Sequence, residues 1–357
     1  MAASWGHKLK ITLFGESHGS LVGIVIDAFP AGIEIDRAAI EREMARRRPG
    51  TSPLSSARNE PDRVEIVSGV LNNKTTGAPI CGIIRNQDTR SEDYQPALLR
   101  PGHADWSAWL KHHGHADMRG GGIHSGRMTA PLVFAGALAK QLLLAQNVTI
   151  YSRILQIEHH RDAEIPQTAD AWQTLPCDFP VADSAIAAQM KQSIEDAKAA
   201  GDSVGGVIEA AVFGLPGGVG DPFFDSMEST LASLLFSVPA VKGVEFGGGF
   251  ALAAQRGSTT NDPIYLDGGT VRSKSNHSGG ILGGIANGMP LIARAAIKPT
   301  PTIARPQQSV DISAMQEIVL QNKGRHDPCI LPRALPVVEA MLALGCLELM
   351  MEGGFLP

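Results

Sequence analysis

Short runs of apolar and β-branched residues recur along the chain, separated by glycine, proline and polar residues. Runs of this length and composition are typical of β-strands. They predict strands at residues 9–13, 21–28, 64–67, 79–84, 207–212 and 290–297.

Other segments have apolar residues at helical spacing and predict five helices. Asp36 can cap a helix that runs to Arg48, and Gly201 can end a helix that begins at residue 183 or 184. The remaining helices are predicted at residues 131–146, 222–235 and 336–351.

The order of these elements bears on the fold class. Strands and helices mix without strict β-α alternation, which favours an α+β or layered mixed architecture. The polar stretch 159–179 is expected to be a surface excursion. No repeat or clear linker divides the sequence, so residues 1–357 are expected to form a single large domain.

Charge is distributed unevenly along the chain. The formal net charge is −5, which argues against bulk attraction to nucleic acid or an anionic membrane. Between residues 37 and 58, however, six arginines stand against two glutamates. A basic segment on an acidic protein fits a small anionic ligand better than a polymer.

The cysteines and the most apolar stretch indicate a compartment. Four widely spaced cysteines without a CxxC pair are typical of free thiols in a reducing environment. The first residues do not have the pattern of a signal peptide. Residues 335–351 include Glu339 and Glu348 and are expected to be a buried helix rather than a membrane span. A cytoplasmic protein is therefore expected.

Two nucleotide-binding motifs are absent, since the chain contains neither GxGxxG nor GxxxxGK[ST]. A nucleotide or flavin would need another kind of site. The segment from Arg46 to Gly50, RRRPG, offers forked guanidinium groups that suit phosphate or carboxylate. Its alternative interpretation is a solvated helix end, where cations offset the helix dipole.

Histidines concentrate in one segment, with five of the eleven between residues 103 and 124. His112, His113 and His115 could form a metal cluster, but no HExxH or matching Cys/His spacing supports one, and solvated surface histidines are favoured. His103 differs because it lies in the loop RPGHAD at 100–105. An imidazole titrating near pH ~6.5 makes it a plausible proton donor.

Glycine- and proline-rich loops also carry polar groups. The run 119–127, RGGGIHSGR, precedes a predicted helix and can hold an anion with backbone N–H groups, or it is only a flexible turn. Similar loops are NHSGGILGG at 276–284 and KPTPT at 298–302. Two more, FGESHG at 14–19 and GRHDPC at 324–329, lie at opposite ends of the chain and suggest a site assembled from the whole fold.

Taken together, these segments resemble the chorismate synthase family. The matching strings are FGESHG, RRRPG, RPGHAD, RGGG at 119–122, PAVKGVEFG at 239–247, GGILGG at 279–284, KPT at 298–300 and GRHDPC. They run in order over nearly the whole chain, and RPGHAD and GRHDPC are highly specific.

The resemblance implies a fold and an activity. The fold would be a β-α-β sandwich, and the assembly a homotetramer. The reaction would be the 1,4-anti elimination of phosphate from 5-enolpyruvylshikimate 3-phosphate, which gives chorismate. It would require reduced FMN without net redox change, with NADPH as a possible reductant. The alternatives are a catalytically degenerate paralogue that binds flavin or an anion, and a metal-dependent hydrolase built on the histidines.

The resemblance also implies roles for individual residues. His18 would protonate the departing phosphate, His103 would stabilise the reduced flavin, and Asp327 would assist removal of the substrate's C6 hydrogen. The substrate would be bound by Arg47, Arg100, Arg127 and Arg325. The flavin would contact Ile123, His124, Ser125, Pro239, Ala240, Gly283, Lys298, Pro299, Thr300, Pro301, Thr302 and Arg325.

The chain departs from the family pattern at two places. Many members carry an arginine in the segment that matches Pro53. Many also read RGGGRSSARET, whereas Ile123, His124, Gly126 and Met128 interrupt that string here. Ser125, Arg127 and Thr129 persist, so the departures affect the anion contacts rather than the reaction.

Overall fold

Two antiparallel sheets and a layer of helices make up most of the computed structural model, which describes residues 3–50, 60–88, 95, 97–322 and 327–356. The first sheet has the order β1-β2-β3-β7-β4 and the second the order β11-β16-β10-β8-β9. The first comprises β1 (Ser4–Trp5), β2 (Lys10–Gly15), β3 (Leu21–Asp27), β4 (Glu65–Ser68) and β7 (Ile80–Arg85). The second comprises β8 (Thr149–Ile157), β9 (His160–Arg161), β10 (Gly206–Phe213), β11 (Val241–Phe246) and β16 (Leu291–Ile297).

The remaining strands form four two-stranded ribbons: β5 (Val70–Leu71) with β6 (Lys74–Thr75), β12 (Ile264–Asp267) with β13 (Thr270–Ser273), β14 (Ile281–Leu282) with β15 (Ile285–Ala286), and β17 (Gln307–Asp311) with β18 (Gln316–Leu320). The helices are α1 (Arg37–Arg47), α2 (Asp105–Lys111), α3 (Thr129–Leu144), α4 (Ala169–Gln173), α5 (Ser184–Ala199), α6 (Met227–Ser237), α7 (Gly257–Thr260) and α8 (Leu331–Glu352). Short 3₁₀ turns lie at Arg119–His124, Gly126–Met128, Phe223–Asp225 and Gly249–Ala254.

Helices α3 and α8 form the layer between the two sheets. Helix α3 packs on β3 and β7 of the first sheet, and α8 packs on β8 and β10 of the second. Gly82 on β7 leaves room for the fully buried ring of Phe134, because a Cβ there would lie 2.3 Å from a ring carbon. The β-α-β sandwich and the α+β class predicted from the sequence are confirmed by this arrangement.

The two helices approach each other closely. A Cβ on Gly136 of α3 would lie 2.2 Å from the Cβ of Ala340 on α8, so only glycine allows this spacing. Both helices are apolar around most of their circumference, as expected for elements enclosed on every side. Helix α8 is long and apolar enough to cross a bilayer, but 94% of its most apolar window is buried inside the protein.

One carboxylate lies inside this layer. Glu339 of α8 accepts hydrogen bonds from Arg46 Nη2 at 2.6 Å and Ser152 Oγ at 2.6 Å, and it also pairs with Lys140. Burial alone would raise the pKa of Glu339, but Lys140 and Arg46 outweigh that effect and lower the pKa to about 2. The glutamate thereby ties α1 and α3 to α8.

The structure corrects the predicted helices near the C-terminus and after residue 222. Helix α8 begins at Leu331, five residues before the predicted start, because Pro332 occupies the first turn, where a missing N–H costs no hydrogen bond. The predicted helix 222–235 divides into a 3₁₀ turn and α6, since Ser226 caps a new helix by accepting from Ser229 N.

Other elements were missed or only partly described by the pattern. Strands β8 and β11 belong to the second sheet but alternate polar and apolar residues too irregularly to be distinguished. The polar stretch 159–179 contains α4, whose Trp172 is only 3% exposed, so it is not a surface excursion throughout.

Glu339→Gln is expected to lower the free energy of unfolding by about 1.5–3 kcal/mol at pH 7, because it removes a buried carboxylate from two half-buried cations, which keep only Glu43 as an ion-pair partner. The pKa of Glu339 is lower in the folded state than the ordinary value of 4.5, so its contribution is present above about pH 4.5 and is lost as the pH falls toward 2. Urea unfolding at pH 6 and pH 3 should therefore give a smaller difference from wild type at pH 3.

The matched control is Asp267→Asn, which breaks an exposed ion pair with Arg272 at 3.0 Å and should cost less than about 1 kcal/mol. If the difference in unfolding free energy between wild type and Glu339→Gln stayed constant from pH 6 to pH 3, the lowered pKa of Glu339 would be contradicted.

Candidate active site

A cleft of about 910 Å³ lies at one end of the helix layer. Its apolar lining includes Leu132 of α3 and Val337 and Met341 of α8, and its polar lining includes arginine, lysine, histidine and aspartate side chains from distant parts of the chain. The first residues of both α3 and α8 line the cleft. Helix N-termini favour anions, so the fold prepares this end for a negatively charged ligand. A smaller depression of about 510 Å³ near Glu158 and Asp202 contains none of the predicted site residues.

The glycine run beside the cleft brings two predicted histidines together. Gly120, Gly121 and Gly122 all have positive φ angles, of 59°, 85° and 53°. A Cβ on Gly120 would lie 2.4 Å from His18 Cδ2, and one on Gly121 would lie 2.9 Å from His103 Cε1. The run is therefore a structural requirement: a side chain at Gly120 or Gly121 would displace one imidazole or the other, and one at Gly122 would meet the carbonyl oxygen of Asp117 at 2.2 Å.

His103 is oriented by an ion pair within its own loop. Arg100 donates to Asp105 from Nε at 2.8 Å and from Nη2 at 2.7 Å. His103 Nδ1 lies 3.1 Å from Asp105 Oδ1 and 3.2 Å from Arg100 Nη2. Burial would raise the pKa of Asp105, but the hydrogen bonds from His103 and Arg100 outweigh it and hold the pKa well below its usual value. Asp105 is thus an anion that fixes the imidazole ring.

Two other predicted arginines line the cleft and share one carboxylate. Arg47 Nη1 donates to Asp62 Oδ2 at 3.0 Å, and Arg127 Nη1 donates to Asp62 Oδ1. Burial lowers the pKa of Arg47 to about 9, aided by Arg333, while Asp62 opposes this shift. The two guanidinium groups are therefore held side by side at the wall of the cleft.

Asp327 enters the cleft from just before α8, together with an arginine that the sequence interpretation missed. Arg333 Nη1 donates to Asp327 Oδ2, and Arg333 Nε donates to the carbonyl oxygen of Arg47 at 3.1 Å. Both side chains line the cleft. Sequence spacing alone does not pair Arg333 with Asp327, because Asp327 lies in the loop before α8 and the contact depends on how that loop enters the helix.

The segment from Lys298 to Thr302 closes the cleft beside the His103 loop. Lys298 Nζ donates to the carbonyl oxygen of Gly102 at 2.6 Å, and a Cβ on Gly102 would lie 3.0 Å from Pro301. Thr300 Oγ1 is buried and has no hydrogen-bond partner among the described residues. Lys298, Thr300 and Pro301 line the cleft, whereas Pro299 and the buried Thr302 do not.

His124 forms another part of the wall, with Ile123 and Ser125 beside it. Its Nε2 is buried and has no partner among the described residues, and its ring centroid lies 6.0 Å from that of His112. Burial first, and then His112 and His103, lower the pKa of His124. The described residues do not bring His112, His113 and His115 together as metal ligands; the one candidate group they form is His7, Glu348 and Glu352.

The cleft thus gathers Arg47, His103, Ile123, His124, Ser125, Arg127, Pro239, Ala240, Lys298, Thr300, Pro301 and Asp327. His18 and Arg100 lie behind its lining, in contact with the glycine run and with His103 respectively. Gly283 lies in the turn between β14 and β15, outside the lining. Arg325 and Pro53 fall outside the described residues.

Comparison with known proteins decides the family. A model of the family described as chorismate synthase matches residues 9–351. The chain belongs to the chorismate synthase family. The chorismate synthase of Korarchaeum cryptofilum is 45% identical over 343 residues, which cover 95% of this chain and 94% of that protein.

Other relatives agree over the full length. The chorismate synthases of Dehalococcoides mccartyi and Archaeoglobus fulgidus are 44% and 46% identical, and each alignment covers at least 98% of both proteins. A solved structure titled "Crystal Structure of Chorismate Synthase" superposes with a TM-score of 0.76 at 27% identity, covering 98% of this chain and 93% of that one. The resemblance drawn from the motifs is confirmed, and these comparisons support an active chorismate synthase rather than a degenerate paralogue.

Gly120→Ala is expected to lower kcat/KM by about 10²-fold or more, because the new Cβ displaces His18 and a misplacement of about 1 Å has this effect. Steady-state kinetics of chorismate formation measures the loss. The matched control is Gly32→Ala, where φ is also positive, at +82°, but no atom lies within 4 Å of the new Cβ. It adds the same kind of backbone strain but displaces no side chain. Its kcat/KM should therefore stay within about twofold of wild type. Equal losses in both variants would refute the steric argument.

Proposed function

We propose that this protein converts 5-enolpyruvylshikimate 3-phosphate to chorismate and phosphate by 1,4-anti elimination, the last common step of the shikimate pathway. It would act as a carbon–oxygen lyase. The observation that carries the proposal is the cleft in which Arg47 and Arg127 lie with His103 and Asp327, while His18 lies behind the lining, against the glycine run. A dicarboxylate that also bears a phosphate requires such cations, and a phosphate leaving group requires an acid nearby.

The elimination needs a proton at the leaving phosphate and a path for the proton from C6. His18 would protonate the phosphate oxygen as the C–O bond breaks, and Asp327 would assist removal of the C6 proton. The electron pair of the C6–H bond forms a new ring double bond, the existing ring double bond shifts by one position, and the C–O pair leaves with the phosphate, so the reaction has no net redox change. Arg333 supports this role because it holds the Asp327 carboxylate in the cleft.

Arg47 and Arg127 would bind the anionic groups of the substrate, aided by Arg325. Buried guanidinium groups stabilise negative charge as it develops on the departing phosphate. Arg100 was predicted to do the same, but its Nε and Nη2 both donate to Asp105, and Nη2 also lies 3.2 Å from His103 Nδ1. We therefore assign Arg100 to orienting His103 rather than to direct contact with the substrate.

The residues present fit a reduced flavin, and we propose FMN. Thr300 Oγ1 and His124 Nε2 are buried polar atoms without described partners, and Lys298 in the same cleft would supply a cation for the FMN phosphate. Ile123, Ser125, Pro239, Ala240 and Pro301 would complete the contacts. When bound, the reduced flavin supplies transient electron donation that weakens the allylic C–O bond. His103 would stabilise its anionic form through the ring that Asp105 fixes.

Further contacts and the source of electrons remain part of the proposal. Pro299, Thr302, Gly283 and Arg325 are proposed flavin contacts by resemblance to the family, and NADPH is a proposed reductant. Four free cysteines suit the cytoplasm, which we propose as the location.

We also propose one domain over residues 1–357 and a homotetramer. The domain is supported by the helix layer, which both sheets share. Exposed apolar side chains on the β12–β13 ribbon, such as Ile264 at 73% and Leu266 at 74%, support an assembly of several copies.

An anaerobic assay tests the reaction directly. Purified protein, 5-enolpyruvylshikimate 3-phosphate and FMN reduced by dithionite should give chorismate, followed by its absorbance, and oxidised FMN should give none. Tight flavin binding without product would instead favour the degenerate paralogue. Activity abolished by a chelator would favour the metal-dependent alternative.

His103→Ala is expected to lower turnover by about 10²–10⁴-fold, as for loss of a group that controls a proton. Single-turnover kinetics with reduced FMN measures the rate, and flavin fluorescence measures cofactor affinity. The control is His115→Ala, an exposed histidine outside the cleft, which should behave like wild type. Unchanged turnover in His103→Ala would exclude the proposed role.

A further inference from the structure

Asp62 holds two arginines that line the cleft, although it does not line the cleft itself. Its Oδ2 accepts from Arg47 Nη1 at 3.0 Å, and its Oδ1 accepts from Arg127 Nη1. The Asp62 side chain is 0% exposed, so no part of this carboxylate is in water. This buried anion therefore bridges the two cations, whereas the other buried carboxylate nearby, Glu60, lies 4.0 Å from Arg127 Nη2 alone among the described pairs.

The other contacts of these arginines fix the planes of their guanidinium groups. Arg47 also donates to Thr129 Oγ1 at 3.1 Å and to the carbonyl oxygen of Gly126 at 2.8 Å, and Arg127 donates to Asn86 Oδ1 at 2.8 Å. Arg127 Nη2 also donates to the carbonyl oxygen of Arg85 at 3.4 Å. A guanidinium has five N–H donors, so three bonds from each arginine to described residues leave two donors on each for an anion in the cleft. The arrangement suits a phosphate or carboxylate group that is bound by two forks at once.

Without Asp62 the pair would be unstable. Burial lowers the pKa of Arg47, and Arg333 and Arg127 lower it further by repulsion, while Asp62 acts in the opposite direction. The two cations in turn hold the pKa of Asp62 below its usual value, against its burial. Removing the carboxylate would leave Arg47 and Arg127 without the anion that bridges them, and Glu60 would remain beside Arg127 only.

The backbone of Asp62 has a strained conformation, which places its carboxylate between the two arginines. Its φ is +46°, in the left-handed region that side-chain-bearing residues seldom occupy and that aspartate and asparagine tolerate best. Strained backbone of this kind concentrates at functional sites, where surrounding contacts maintain it.

We propose that Asp62 is a positioning residue for substrate binding, which holds Arg47 and Arg127 together as one two-armed site for a phosphate-bearing anion. The identity of that anion rests on the proposed function. The pairing itself does not, because it can be measured with inorganic phosphate and without turnover.

Asp62→Asn tests the proposal. Asparagine keeps the volume and the tolerance for positive φ, but it removes the charge, and its amide nitrogen cannot accept from an arginine. KM for 5-enolpyruvylshikimate 3-phosphate should rise about 10–100-fold, by more than kcat falls, since a charge-assisted contact has about this value. Calorimetric titration with inorganic phosphate should give a parallel loss of affinity, while the affinity for FMN stays within about twofold.

The matched control is Glu65→Gln, three residues along the chain. Glu65 is 45% exposed and pairs with Arg85 at 2.9 Å, outside the cleft lining. Its KM and phosphate affinity should match wild type. A lower melting temperature for Asp62→Asn with KM and phosphate affinity within twofold of wild type would mean a structural role only and would overturn the proposal.

If Asp62→Asn fails to fold, Thr129 provides a neutral test of the same positioning. Thr129→Val removes the acceptor for Arg47 Nε with little change in shape, and Thr129→Ser restores it. We expect KM to rise about 3–10-fold in the valine variant and to recover in the serine variant. Equal KM values for the two would overturn the proposal. Should wild type form no chorismate, the proposed function fails, and phosphate titration still decides the role of Asp62.

Discussion

The contact between α3 and α8 is the constraint on which the rest of the structure depends. Gly136 and Ala340 bring the two helices so close that they form one layer, and each helix packs on a different sheet. Both helices also begin at the cleft: α3 follows the glycine run and Arg127, and α8 follows Asp327. The same packing that makes the core therefore sets the distance between the two halves of the site. Glu339 reinforces it by tying Arg46, next to Arg47, to α8.

Much of the fold could be predicted from the sequence because its elements carry local signals. Asp36 and Asp183 cap α1 and α5 as expected, and the six predicted strands all belong to the two main sheets. Strands β8 and β11 were missed because Arg153 on β8 and Glu245 on β11 interrupt the apolar pattern. These polar side chains are satisfied by partners on neighbouring strands, such as Glu209 on β10. Such pairs join strands that are distant in the sequence, so a local sequence pattern cannot reveal them.

Residues of the candidate site could be predicted where a motif combined glycine or proline with ionisable groups. They could not be predicted where a residue's role depends on a side chain that is distant in the sequence or lies in an unrecognised contact. The loops around His18, His103 and Lys298 met these conditions, and they meet in the structure. Asp62 and Arg333 did not, since each occurs in an unremarkable string and acquires its role only from the arginines or the aspartate beside it. Arg100 illustrates the converse, because its motif was recognised and its contact with Asp105, which the motif does not reveal, is the reason that we propose a positioning role for it.

The glycine run also bears on how this family can diverge. His18 and His103 both pack directly against the backbone of this run. The feature that must be preserved there is therefore the lack of side chains at Gly120 and Gly121. Two positions after the run carry no such demand: Gly126 has open space where a Cβ would be, and Ile123 is 40% exposed. Substitutions at these two positions can therefore change the wall of the cleft and its contacts with a ligand. The positions of the two imidazoles do not depend on them.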